Sequence, residues 1–220
     1  MTMKLVAIAA ALSTGTAVAQ TAGTWMARVG AITVSPQVSS GYLSAPDYMG
    51  GTKTDVSSNT QLSSGVTYMY TDHWSVDVPV ALPFKHQIMG DGALKGAGDL
   101  AEVKTLPLTV FLQYRFLQAN AKFRPYVGFG LTYAYIYEAT GSGKLTATTN
   151  PGGPATSLSV DSKWGLNAQI GATISLDDKW FIDLHYSKSN LSTTTHFSTG
   201  QQLGIALDPA CYGIGIGYRF

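Results

Sequence analysis

Period-two alternation constrains this chain most, and it is cleanest at the C-terminal end. Tyr212, Ile214, Ile216, Tyr218 and Phe220 alternate with Cys211, Gly213, Gly215, Gly217 and Arg219. Successive side chains of a strand point to opposite faces, so this segment predicts a strand with one large apolar face and one small face. In a soluble sandwich the large face would turn to a core. In a membrane barrel it would meet lipid, and the small face would line a narrow interior. One strand does not decide between these.

Five more segments repeat the pattern. The large faces begin at Trp74 (through Val76, Val78, Val80 and Leu82 to Phe84), Leu106 (to Phe116), Val127 (to Tyr137), Trp164 (to Leu176) and Trp180 (to Tyr186). Weaker strands are expected from about Trp25 to Val38 and Asn59 to Tyr70, which makes eight. The six clear strands each carry an aromatic near an end of the apolar face, as interfacial girdles require. Their length of about ten residues suits a tilted membrane strand better than a soluble one.

The connections alternate too. Thr71-Asp72, 118–122 and Asp177-Asp178 are short, whereas 39–58, 89–103, 139–161 and 190–206 are long and rich in Gly, Ser, Thr, Asn and Asp. Short periplasmic turns and long extracellular loops are the asymmetry of outer-membrane barrels. An even strand number closes the sheet without a free edge. The expected fold is therefore all-β, an eight-stranded antiparallel transmembrane β-barrel.

The N-terminus agrees with export. Lys4 supplies a positive charge, Leu5 to Leu12 is apolar, and Ala17-Val18-Ala19 precedes Gln20 as a cleavage site. Residues 1–19 read as a signal peptide and 20–220 as the barrel. A net charge of +1 gives no reason to expect nucleic acid as a partner, and only 12% of residues are charged. Cys211 is the one cysteine, so no intramolecular disulfide forms. No histidine spacing suggests a metal, and no cofactor is implied.

Ordered short motifs then carry a resemblance. Ser58-Asn59-Thr60-Gln61-Leu62, Pro83-Phe84-Lys85-His86, Arg124-Pro125-Tyr126-Val127-Gly128, Leu207-Asp208-Pro209 and Gly217-Tyr218-Arg219-Phe220 together resemble the OmpW outer-membrane proteins, which include AlkL-type alkane-uptake barrels. The resemblance implies an eight-stranded barrel with a hydrophobic lumen, associated with uptake of small hydrophobic solutes. It also implies that Tyr218 and Phe220 form the signal read by the barrel-assembly machinery, with outer-membrane lipid as the surroundings. Loop 139–161 departs from the family pattern, being built from Gly, Thr and Pro, so entry into this barrel is open to difference.

Alternation also names the inward residues. Arg28, Asp77, Arg115, Asp183 and Arg219 all lie near short turns or the C-terminus, so they should share one depth at the periplasmic end. In a narrow space an unpaired charge is costly, which favours an ion-paired plug over an aqueous pore. Above it the inward set is apolar or small: Ile32, Val34, Pro36, Pro79, Ala81, Pro83, Phe111, Ala134, Ile136 and Cys211. These residues either line a path for a solute or simply pack the interior. Glycines 128, 130, 213 and 215 would leave space there. Pro79, Pro83 and Pro107 each remove a ladder donor from neighbouring strands, which predicts either a sideways opening or tolerated bends.

Two other classes of function compete with uptake. Asp183, His185 and Ser187 share an inward face, but same-face residues stand about 7 Å apart, too far for a nucleophile and base. The chain is thus not expected to be an enzyme. A non-conducting structural or adhesive barrel, acting as a receptor through its extracellular loops, is the alternative to a hydrophobic channel.

Overall fold

The computed structural model describes residues 20–44 and 50–220. The expected leader, 1–19, and residues 45–49 of the first long loop lie outside the described residues. In chain order the elements are β1 (Trp25–Ser35), β2 (Ser39–Ser40), β3 (Thr52–Val56), β4 (Asn59–Met69), β5 (Trp74–Ala81), β6 (Phe84–Gly92) and β7 (Asp99–Arg115). There follow β8 (Phe123–Gly141), α1 (Gly143–Thr149), β9 (Leu158–Val160), β10 (Lys163–Ser175), β11 (Trp180–Asn190), β12 (Ser192–Phe197), β13 (Gln202–Ala206) and β14 (Ala210–Arg219).

Antiparallel pairing runs β7-β5-β4-β1-β14-β11-β10-β8, and β8 returns to β7, closing an eight-stranded barrel. Closure matters because hydrocarbon offers nothing to an unpaired backbone group. The outward faces carry exposed Val29, Leu62, Leu108, Phe129, Ile170 and Ile214. Such a belt is out of place in water and suits a bilayer. Aromatics bound it twice. Near the short turns Trp25 tilts against Tyr68, while Trp74 meets Tyr114 and Trp180 meets Tyr218 edge to face, and Tyr218 also meets Phe220. Higher on the wall Tyr133 meets Trp164, and Tyr186 meets Tyr212.

The long connections are not plain loops. β7 and β8 stay paired up to Ala101 and Gly141, and β6 and β3 extend that sheet above the membrane belt. A second, four-stranded sheet of β2, β13, β12 and β9 stands beside it. Between them Val56, Ile88, Leu100, Val103, Leu145 and Leu158 form a small apolar core. These strands escape a search for alternation because they are short and Ser192–His196 is polar on both faces.

One strand departs from the expected alternation. β5 pairs with β7 from Trp74↔Tyr114 to Asp77↔Phe111, and β6 resumes at Phe84↔Thr105. Residues 78–83 therefore stand opposite 106–110, six against five. The surplus residue reverses the facing of everything after it. Phe84, expected outside, is 1% exposed, while Pro83, expected in the lumen, is exposed.

Candidate functional site: a closed floor, an apolar cavity and an unpaired wall

Charge dominates the periplasmic floor, but not all of it is ion-paired. Arg28 grips Asp77 with both terminal nitrogens, at 2.6 and 2.9 Å, and Thr67 donates to the same carboxylate at 2.5 Å. Gly65 makes this possible, since a Cβ there would sit 2.8 Å from the guanidinium carbon. Asp183 accepts from the Tyr126 hydroxyl at 3.0 Å and contacts His185 Nδ1 at 2.9 Å, with Arg28 Nε 3.7 Å away. A bidentate guanidinium–carboxylate pair is among the stronger contacts available to a desolvated charge.

Arg115 and Arg219 correct the expectation of an all-ionic network. Arg115 donates to neutral oxygens of Gln113 (2.8 Å), Gln20 (3.1 Å) and Ser75 (3.1 Å), and lies over the Tyr126 ring at 4.7 Å. Arg219 turns down to Ser175 Oγ and the carbonyls of Asp177 and Asp178, and stacks on Phe181. Neutral partners suffice because their dipoles replace water without demanding a matching count of carboxylates.

Gln20 completes the floor, and nothing in the sequence singled it out. Its side chain is buried between Thr173 (2.8 Å) and Arg115, and its carbonyl accepts from Arg124 at 2.7 Å. Arg124 also donates to the carbonyls of Phe116 and Asp72. Gln113 donates to Gln169 at 2.8 Å and seals the layer above. Tyr126, Gln113 and Gln169 were legible as inward residues from alternation, though not as parts of the floor.

Above the floor lies an apolar cavity of about 140 Å³. Ile32, Val34, Pro79, Ala81, Phe111, Ala134, Ile136 and Cys211 line it, whereas Pro83 does not. Upward it reaches Val160, Leu191, Ile205 and Leu207 beside the extracellular sheet. The glycines expected to hold it open do something else. A Cβ at Gly213 would meet the His185 ring at 2.2 Å, one at Gly130 would meet Phe111 at 2.6 Å, and one at Gly128 would meet Gln169 at 3.1 Å. Gly215 abuts the backbone of Val29. These glycines seat neighbouring groups and leave no free space of their own.

The Asp183–His185 contact corrects a second expectation. Same-face neighbours two residues apart do meet here, because the imidazole leans over Gly213. Among the described residues Ser187 shares no hydrogen bond with Asp183 or His185, so the three residues do not form a relay.

Along one line of the cavity wall β5 and β7 lose their ladder. Neither 78–83 nor 106–110 has a partner across that line, roughly 16 to 20 Å of strand. Pro79 and Val80 on one lip and Pro107 on the other all line the cavity, yet Val80 is 52% exposed on the outer wall. Irregular backbone at membrane depth is tolerated where it borders a cavity.

Comparison with known proteins agrees with this architecture. The model of the OmpW family matches residues 21–220. Outer membrane protein W of Vibrio cholerae is 36% identical over 220 residues, covering 97% of this chain and 96% of the relative. The crystal structure of OprG from Pseudomonas aeruginosa superposes with a TM-score of 0.82 at 30% identity, covering 92% of this chain and 99% of that one. A Pseudomonas aeruginosa protein named for a dibenzothiophene metabolism operon, PahQ, is 28% identical over 200 residues, 89% of this chain and 88% of its own. With an eight-stranded barrel of this form and a family match over nearly all the described residues, the chain belongs to the OmpW family of outer-membrane proteins, a non-enzymatic family.

Proposed function

We propose that this barrel takes up small hydrophobic solutes passively, through the extracellular mouth into the apolar cavity and sideways into the bilayer between β5 and β7. The observation that carries the reading is Val80, which borders both the cavity and the outer wall beside an unpaired ladder. The floor below, filled by Arg28, Asp77, Asp183, Arg115 and Gln20, gives water and ions no axial route. PahQ is named for an operon of dibenzothiophene metabolism, and the cavity here has the size of a single apolar ring.

Two further roles belong to this reading. Residues 1–19 direct export and are removed before Gln20. Tyr218 and Phe220 at the end of β14 present the signal that the assembly machinery reads.

The test is transfer of toluene into lipid vesicles holding the purified barrel, against empty vesicles. Replacing Pro79, Pro83 and Pro107 together by Val or Thr restores ladder donors and should cut the transfer rate at least about tenfold while the barrel stays folded. Unchanged transfer in that variant would remove the role of the sideways opening.

A further inference from the structure

Register decides which members of the run Pro83-Phe84-Lys85-His86 meet the cavity. By the alternation that starts at Trp74, Phe84 and His86 would turn outward and Lys85 inward. The surplus residue in 78–83 exchanges them. Lys85 is exposed, while Phe84 and His86 are buried and line the cavity. His86 pairs with Val103 in the β6–β7 ladder, and its ring lies nearly parallel to that of Phe84, 6.1 Å away. It stands above the break between β5 and β7, because β6 resumes the ladder at Phe84↔Thr105 and runs on away from the floor. A solute moving from the mouth to that break passes it.

One nitrogen of the ring is engaged. Nδ1 lies 2.7 Å from the Ser57 carbonyl oxygen, which only accepts, so Nδ1 carries a proton. His86 lies above the membrane belt, and burial holds its ring below the ordinary histidine range, which leaves it neutral at pH 7. A neutral ring with its proton on Nδ1 makes Nε2 a hydrogen-bond acceptor.

Nε2 has no partner among the described residues. The unpartnered side-chain atoms sealed from open space there are Thr54 Oγ1, Thr195 Oγ1 and Arg219 Nε, and His86 Nε2 is not one of them. The open space that His86 borders is the cavity, so Nε2 faces it. Phe84, Ile88 and Val103 line the same wall and offer a donor nothing.

We propose that His86 determines specificity in the upper cavity, its Nε2 accepting the hydrogen bond of an otherwise apolar solute that carries one O–H or N–H. A donor that leaves water for an apolar space loses free energy unless a new acceptor meets it. Nε2 is that acceptor. A solute with an acceptor alone, such as an ether, gains nothing from it. A cavity of about 140 Å³ sets the size near a single benzene ring, so phenol, anisole and toluene form the natural set of probes. This inference rests on the uptake reading above and adds a polar contact that uptake alone does not need.

The experiment is equilibrium retention of the three compounds by the full barrel in lipid nanodiscs, with empty nanodiscs subtracting partition into lipid. One net hydrogen bond predicts phenol retained about fivefold over toluene, with anisole level with toluene. In His86→Asn the amide nitrogen can keep the bond to Ser57, but no acceptor reaches the place of Nε2. Phenol should then fall to the level of toluene, and toluene should not change. The wild-type barrel supplies a readout that needs no variant: in nitrogen-15 spectra the His86 Nε2 resonance should move with phenol and stay put with toluene. Phenol retained no better than toluene, anisole retained as well as phenol, or an Nε2 resonance indifferent to phenol overturns the role of His86. So does an undiminished preference for phenol in His86→Asn. Each of these leaves the uptake reading standing, whereas retention of none of the three above empty nanodiscs overturns both.

Discussion

The two halves of this barrel share one wall and one alternation, yet they solve opposite problems. Below, inward Arg28, Asp77, Arg115 and Asp183 are desolvated and held by near-complete hydrogen bonding, so the space is filled. Above, inward Ile32, Ile136 and Phe111 ask for no partners and surround open volume. The ladder breaks beside the upper half, at 78–83 against 106–110. The contrast teaches that closing a narrow barrel takes polar side chains that satisfy one another, whereas a passage takes apolar ones that cannot.

Breaking the floor should show the largest effect. Asp77→Ala leaves the Arg28 guanidinium without its bidentate partner, and removing one member of a buried pair costs about 3–5 kcal/mol. Urea unfolding in lipid vesicles would register it. Gly213→Ala tests the boundary between the halves, since its Cβ would strike the His185 ring and displace it from Asp183. Overpacking of that kind costs about 1–3 kcal/mol, and the same unfolding assay should place it below Asp77→Ala.

In the upper half, Phe111→Ala should cost about 1–2 kcal/mol, less than the roughly 3–5 typical of a packed core, because the ring already borders a void. The enlarged cavity should speed transfer of naphthalene relative to toluene. The smallest effect lies outside the membrane belt. Lys163, and secondarily His196, holds the Asp161 carboxyl below its ordinary range. A lowered carboxylate contributes stability above its unfolded value, lost as pH falls through the folded one. Asp161 is exposed, so Asp161→Asn should leave neutral-pH unfolding nearly unchanged and only flatten its decline in acid.

How much of this the residues disclose in advance differs between the same two halves. Eight strands, their outward faces and most inward positions follow from a period of two, because lipid enforces an apolar face on every strand. The reversal at Phe84 is hidden, since Leu82, Pro83 and Phe84 are all compatible with an outer wall and only the register across to Thr105 exposes the surplus residue. The glycines of β14 mislead for a similar reason: Gly213 and Gly215 read as empty until the His185 ring and the Val29 backbone are seen to occupy their space. Gln20 carries no period at all, being fixed by Arg115, Thr173 and Arg124 from three distant strands. Strand β12 is polar over Ser192–His196, β9 and β13 are too short to show a period, and all three belong to a sheet that lipid does not pattern.

The central claim is that the upper cavity passes apolar solutes while the lower half stays shut. The most direct measurement records toluene transfer and ion conductance on the same lipid vesicles containing the wild-type barrel. The account predicts transfer well above empty vesicles with no added conductance. Ion current through the wild-type barrel, or toluene transfer no faster than through lipid alone, would contradict it.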